Sequence, residues 1–200
     1  MQHAREMSRA SLDTVSAPPK ATFKDLALLP EEVRAEIVDG EIVEKAAPSF
    51  EHANTQLGLG SLIRVEFHGD RGGPRSGGWW ILSEVDVELE AHDVYRPDLA
   101  GWKRESLPAQ PVGRPVRVRP DWVCEVLSRS NAQNDLVKKF RGYHRAGVPH
   151  YWIVDPDNRS LIVYRYQPAG YLAVLTAGAG ETIRAEPFDA IEIAVSDLFG

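Results

Sequence analysis

The sequence predicts a mixed α/β (α+β) fold, with a central mixed sheet flanked by helices and additional β-hairpins. Three observations predict it. An apolar run at Trp122–Leu127, a basic helical segment at Asp135–Ala146 and a second apolar run at His150–Asp155 make one strand–helix–strand unit, which calls for a parallel pair joined by a right-handed crossover. Asp39-Gly40 and Gly170 lie between apolar runs as hairpin turns. Ser49 to His68 has apolar residues at helical spacing.

The elements follow in chain order. Thr22–Leu29 predicts a short helix, with Thr22 as N-cap and Asp25 three residues on. Pro30 starts a further helical turn through Arg34. "AEIVDGEIVEK" is a hairpin about Asp39-Gly40. Ser49 caps a helix running to His68, with Leu59, Leu62, Ile63 and Glu66 at helical spacing. Gly58 and Gly60 in that helix mark close packing against the sheet. Gly69–Gly78 is a turn-rich loop. In "WWILSEVDVELEA", Val85, Val87 and Leu89 alternate with acids, which predicts one half-buried strand with an acidic face. His92–Val94 is then a turn and "YRPDLAGW" the returning strand. Pro97 removes a ladder donor and belongs at a strand start, an edge or a bulge.

Lys103–Pro115 is a loop containing three prolines. Val116–Leu127 predicts a strand whose two faces, Val123/Glu125/Leu127 and Trp122/Cys124/Val126, are both mostly apolar, as in a central strand. Arg129–Asn134 is polar and offers several caps. Asp135–Ala146 is a helix, stopped by Gly147 and Pro149. His150–Asp155 is a buried strand, "RSLIVYRY" and "YLAVLTAG" form a hairpin, and "AIEIAVSDLF" gives a last strand and a short turn.

A chain of 200 residues with 43% hydrophobic residues suits one domain with a real core. No apolar run approaches the ~20 residues that span a bilayer. Residues 1–20 carry charges and prolines without an apolar stretch, so they are expected to form a disordered tail and not a secretory signal. Cys124 is the single cysteine, which excludes an intramolecular disulfide and a cysteine-based zinc site. The expected compartment is the reducing cytoplasm. The net charge of -6 argues against a general nucleic-acid coat, but it is uneven. Lys103 to Arg145 holds ten basic and four acidic residues, an asymmetry that suits an anionic ligand at one face. Scattered solvated charges would give the same count.

Glu125 is the oddity, a carboxylate inside an apolar strand. An ionised carboxylate there is costly unless paired, hydrogen-bonded or bound to a cation. The pattern equally fits a glutamate near the strand end that reaches solvent or meets an arginine. Asp98, after Pro97, poses the same question and equally fits a turn aspartate. If their strands are neighbours, the two carboxylates converge. Two hard oxygen ligands with open positions suit Mg²⁺ or Mn²⁺. On a helical wheel of about 100° per residue with Leu136 at zero, the Leu136/Phe140/Tyr143 stripe centres near roughly 10°, Lys139 falls near 300° and Lys138 near 200°. Lys139 therefore flanks the buried stripe and can reach Glu125, while Lys138 points to solvent. A local i, i+4 pair of Lys139 with Asp135 fits the same wheel.

At these residues the sequence resembles the Uma2 family of restriction endonuclease-like proteins, also known as DUF820, of the PD-(D/E)XK nuclease superfamily. The resemblance is carried in order by "EIVDGEIVEKAAPSFEH", "RPDLAGW", "PDWVCEVLSRS", "DLVKKFRGYHRAGVPHYWIVDP" and the strands that follow. It covers about residues 22 to 200, and implies one restriction endonuclease-like domain over residues 21–200. It implies that Asp98 is the aspartate of the PD motif and Glu125 the acid of the (D/E)XK strand. Leu127 stands where that motif has its lysine. Lys139 matches a lysine displaced to the following helix, and Arg141 and Arg145 match accessory basic positions.

The implied activity is endonucleolytic hydrolysis of DNA phosphodiester bonds with Mg²⁺ or Mn²⁺. Asp98, Glu125 and the Val126 carbonyl would ligate the cation, with Lys139 as the catalytic lysine. Arg114, Arg117, Arg119, Arg141 and Arg145 would contact phosphates, and a homodimer is expected by analogy. Two rivals stand beside this reading. One is a catalytically weak or inactive nuclease-fold protein that binds nucleic acid or assembles with partners. The other is a metal-dependent hydrolase of a small phosphorylated substrate. His52, on the first long helix, is kept outside the core set.

Overall fold

The computed structural model describes residues 19–70, 76–128 and 134–200. The tail expected over residues 1–20 lies, but for its last two residues, outside the described ones, as do most of the polar segment Arg129–Asn134 and the middle of the Gly69–Gly78 loop.

A short helix α1 (Phe23–Leu26) opens the fold, and the Thr22 amide donates to Asp25 Oδ2 (2.8 Å), as the capping pattern requires. Pro30 begins a single turn closed by Val33 N–H to Pro30 O (3.0 Å), without a helix. The hairpin β1 (Ala35–Val38) and β2 (Glu41–Glu44) turns at Asp39 and Gly40, both at positive φ. That is the backbone hand a two-residue hairpin needs. Helix α2 (Phe50–Phe67) is capped by Ser49, whose hydroxyl accepts the His52 amide. Its buried row is His52, Thr55, Leu59, Ile63 and Phe67, while Leu62 is exposed. Gly60 packs closely on the sheet: a Cβ there would stand 3.0 Å from Leu99 Cδ2.

Trp79 to Glu90 is two strands rather than one. β3 (Trp79–Ser83) and β4 (Val87–Glu90) lie in different sheets. The chain bends between them at Glu84, at φ 55°. Asp86 is buried, so the expected acidic face is interrupted. The return also breaks. β5 (Asp93–Tyr95) takes up most of the expected turn, and Arg96–Pro97–Asp98 links it to β6 (Leu99–Lys103). Pro97, lacking a donor, sits in the break, and its carbonyl accepts the Glu84 amide (3.3 Å). Both segments thus cross between the two sheets at one place.

β7 covers only Trp122–Val126, and Val116 makes an isolated bridge to Val87. Pro120 lies just before β7 and, with no N–H, keeps the ladder from extending to Val116. A π-helical turn at Asn134–Lys139 leads into α3 (Phe140–Arg145), which ends at Gly147 with φ 70°. β8 (His150–Asp155), β9 (Ser160–Arg165) and β10 (Leu172–Gly178) follow. A small pair, β11 (Thr182–Ile183) and β12 (Ile193–Ala194), precedes the last 3₁₀ turn, Val195–Leu198.

The larger sheet runs β10-β9-β8-β7-β6-β3 and the smaller β2-β1-β5-β4. β7 and β8 pair in parallel, and the other strand pairs among the described residues are antiparallel. Trp122, Cys124 and Val126 face α2 and Phe188 in one core. Val123 faces the opposite way, into a second core with Tyr95, Tyr143 and Tyr151. Glu125 shares the Val123 face by strand alternation. This central, doubly covered strand is what the apolar pattern on both faces demands. Among the described residues no helix is long and apolar enough to cross a membrane.

Candidate functional site

The site lies where the two sheets meet. β6 and β7 are antiparallel neighbours, with Leu99 opposite Cys124. That register brings Asp98, just before β6, beside Glu125 and Val126. Asp98 Oδ2 accepts the Val126 amide (2.7 Å) and faces His52 Nε2 (3.2 Å), and Oδ1 lies 3.1 Å from Lys45 Nζ. Burial disfavours the Asp98 charge, but the His52 hydrogen bond and the Lys45 charge outweigh it, so its carboxyl is held well below the usual range. Lys45 Nζ also donates to the Arg96 carbonyl (2.8 Å) and lies 4.0 Å from Glu84.

Glu125 is 1% exposed. Its Oε1 accepts the Tyr143 hydroxyl (2.7 Å) and lies 2.6 Å from Lys139 Nζ. Lys139 is fully buried and also meets Asp135 (3.1 Å) and Glu36 (3.3 Å). Glu36 in turn accepts the Arg96 amide (3.1 Å). Burial pushes the Glu125 carboxyl up to about 8, against the pull of Lys139, with Asp135 and Asp98 adding to the rise. Asp135 is also raised, chiefly by burial. The site therefore sets four buried carboxylates, Glu36, Asp98, Glu125 and Asp135, against two ammonium groups, Lys45 and Lys139. This surplus of hard anionic oxygen suits a divalent cation in chemistry. Among the described residues no three of His, Cys, Asp and Glu converge as a cage. A cation here would rest on two carboxylates, completed by main-chain, water and substrate oxygens, which is the habit of Mg²⁺.

Asp98 opens on a narrow neck lined by Arg34, Lys45, His52, Glu84 and Ser128. The neck shares Ala47, His52 and Ser128 with a wider cleft of about 520 Å³, lined also by Leu127 and Pro156 at the ends of β7 and β8. Ligands of sheets with parallel strands favour such carboxyl ends. Glu51 and Asp157 line the same cleft.

The lysine geometry needs one correction. Because Asn134–Lys139 is a π turn, a 100° wheel does not describe it, and Leu136 is 44% exposed instead of buried. Lys139 nevertheless points inward, and Lys138 outward to Glu41 (3.5 Å). The five arginines do not gather around Asp98. Arg114 pairs with Asp86, Arg117 with Glu88 (3.0 Å), and Arg145 with Asp93 (2.5 Å). Arg119 donates to the Gly147 carbonyl (2.9 Å), and Arg141 is exposed. Sequence reasoning left out Lys45, Glu36 and the Tyr143 hydroxyl. Glu36 carried the same signal as Glu125, an acid inside an apolar strand. Lys45, at the end of a hairpin, carried none.

The model of the Uma2 family, described as "Putative restriction endonuclease", matches residues 21–196. A solved structure from Anabaena variabilis ATCC 29413, described as "a putative nuclease belonging to DUF820", superposes with a TM-score of 0.71 at 22% identity, covering 90% of this chain and 97% of that one. At that identity the likeness speaks for the fold. No curated protein matches the chain.

Proposed function

Because the chain belongs to the Uma2 family of restriction endonuclease-like proteins, we propose that it is a metal-dependent endonuclease hydrolysing DNA phosphodiester bonds. One observation carries the reading: Asp98 and Glu125 come together from adjacent strands, tied by the 2.7 Å bond from Val126 N–H to Asp98, within a surplus of buried carboxylate. Asp98 and Glu125, with the Val126 carbonyl, would hold Mg²⁺ or Mn²⁺. Such a cation supplies a bound water of lowered pKa and stabilises charge developing on the phosphoryl group.

The protein's own groups prepare that place. The Val126 amide and His52 fix one oxygen of Asp98, and Tyr143 and Lys139 fix one oxygen of Glu125. Lys139 neutralises charge at Glu125. Arg141, exposed on α3, is the member of the arginine set left open to flanking phosphates. DNA enters by the cleft at the ends of β7 and β8.

Nicking of supercoiled plasmid tests this. Wild type should nick with Mg²⁺ or Mn²⁺ and stop in EDTA, and Asp98→Ala should lower the rate at least a hundredfold. Activity that survives Asp98→Ala and Lys139→Ala alike would place the chemistry elsewhere. Leu127 in the motif-lysine position favours a second reading, a nuclease fold kept for nucleic-acid binding. Mn²⁺ titration separates the two: DNA binding without cation binding supports the second.

A further inference from the structure

Two lysines stand beside the carboxylate pair, and they are placed differently. Lys139 has no exposed surface and is ion-paired with Glu125, Asp135 and Glu36 within 3.3 Å, though none of these contacts has hydrogen-bond geometry. To touch a ligand it would have to leave three buried acids without their shared counter-ion. Lys45 has two close acceptors, Asp98 Oδ1 at 3.1 Å and the Arg96 carbonyl at 2.8 Å. Among the described residues its remaining N–H faces Glu84 at 4.0 Å, beyond hydrogen-bond reach. Its side chain retains 9% exposure and lines the neck, which shares His52 and Ser128 with the cleft. The other cation of the neck, Arg34, is held by Glu84 at 2.8 Å.

We infer that Lys45 is the ammonium that contacts the scissile phosphate, while Lys139 serves as the internal counter-ion of Glu125. The inference rests on the nuclease reading above and adds a substrate contact that the motif lysine would otherwise supply. The chemistry is that of a phosphodiester anion approaching the carboxylate of Asp98. There a positive charge offsets the repulsion, and an ammonium with a spare donor provides a charge-assisted hydrogen bond.

The test uses the full chain and a labelled DNA duplex. Binding is followed by fluorescence anisotropy across a salt series. Lys45→Gln keeps a polar group for Asp98 but removes one charge. It should weaken low-salt binding about tenfold and reduce the slope of log K against log[salt] by about 0.9, the value for one lost phosphate contact. Lys45→Arg should restore the slope. The same Lys45→Gln should raise KM for nicking more than it lowers kcat. A labelling experiment on wild type needs no variant to fold: an amine reagent should modify Lys45, duplex DNA should protect it, and Lys139 should stay unmodified with or without DNA. An unchanged slope in Lys45→Gln, or labelling at Lys45 that DNA does not reduce, overturns the inference while the nuclease reading stands. A wild type that neither binds duplex nor nicks plasmid overturns both.

Discussion

Glu125 shows how one residue can be legible in kind and illegible in partner. Its place in an apolar strand marks it as needing compensation. The structure supplies Lys139 and Tyr143, yet burial and the neighbouring Asp135 still push its carboxyl up to about 8 from an ordinary 4.5. The sign follows from linkage. A group whose folded pKa is raised stabilises the fold fully below its unfolded value, and that contribution is lost as pH rises through the folded one. In EDTA, Glu125 therefore costs the protein stability between about pH 4.5 and pH 8, and Glu125→Gln should remove that part of the decline. Urea melts of both proteins at pH 5, 6.5 and 8 measure it, and parallel profiles would contradict the assignment. Saturating Mg²⁺ should shrink the difference, because a cation favours the charged form. Lys45 had no such mark in the sequence. Its meaning comes only from Arg96 and Asp98, more than fifty positions away.

At the scale of elements, the site depends on how α3 and its preceding π turn sit over the sheet. Gly142 lets α3 approach: a Cβ there would fall 2.0 Å from the Tyr95 hydroxyl, which itself donates to buried Asp93. Gly142→Ala should destabilise the fold by about 1–3 kcal/mol, the usual penalty of overpacking, seen as a lower urea midpoint. It should also cut nicking, because Tyr143 is the next residue. A midpoint equal to that of wild type would show that α3 has room to shift. Turn chemistry made the β1–β2 and β9–β10 hairpins, the start of α2 and the C-terminal end of α3 readable in the sequence. The break at Glu84 was not readable, since alternation continues through it, and Pro97 marked an irregularity at Arg96–Asp98 without showing that the chain changes sheets there. The π turn was hidden for a related reason: side-chain periodicity does not report backbone hydrogen-bond spacing.

Across the whole molecule, Lys139 joins the smaller sheet through Glu36, the larger through Glu125 and the π turn through Asp135. Lys139→Met would leave these acids buried without their counter-ion, a defect of about 3–5 kcal/mol, measurable by urea unfolding. A loss under about 1 kcal/mol would mean that the carboxylates simply take up protons and the cluster does not fasten the sheets. The sequence by itself determined the strand–helix–strand core, the hairpins, the two carboxylates that need compensation and the family that carries them. Each of these follows from local periodicity, turn chemistry or the cost of burying charge. Only the tertiary structure decided which lysine lines the pocket beside Asp98, which arginines are spent on ion pairs, and where the chain leaves one sheet for the other. Those outcomes depend on contacts between residues far apart in the chain, and no local pattern encodes them.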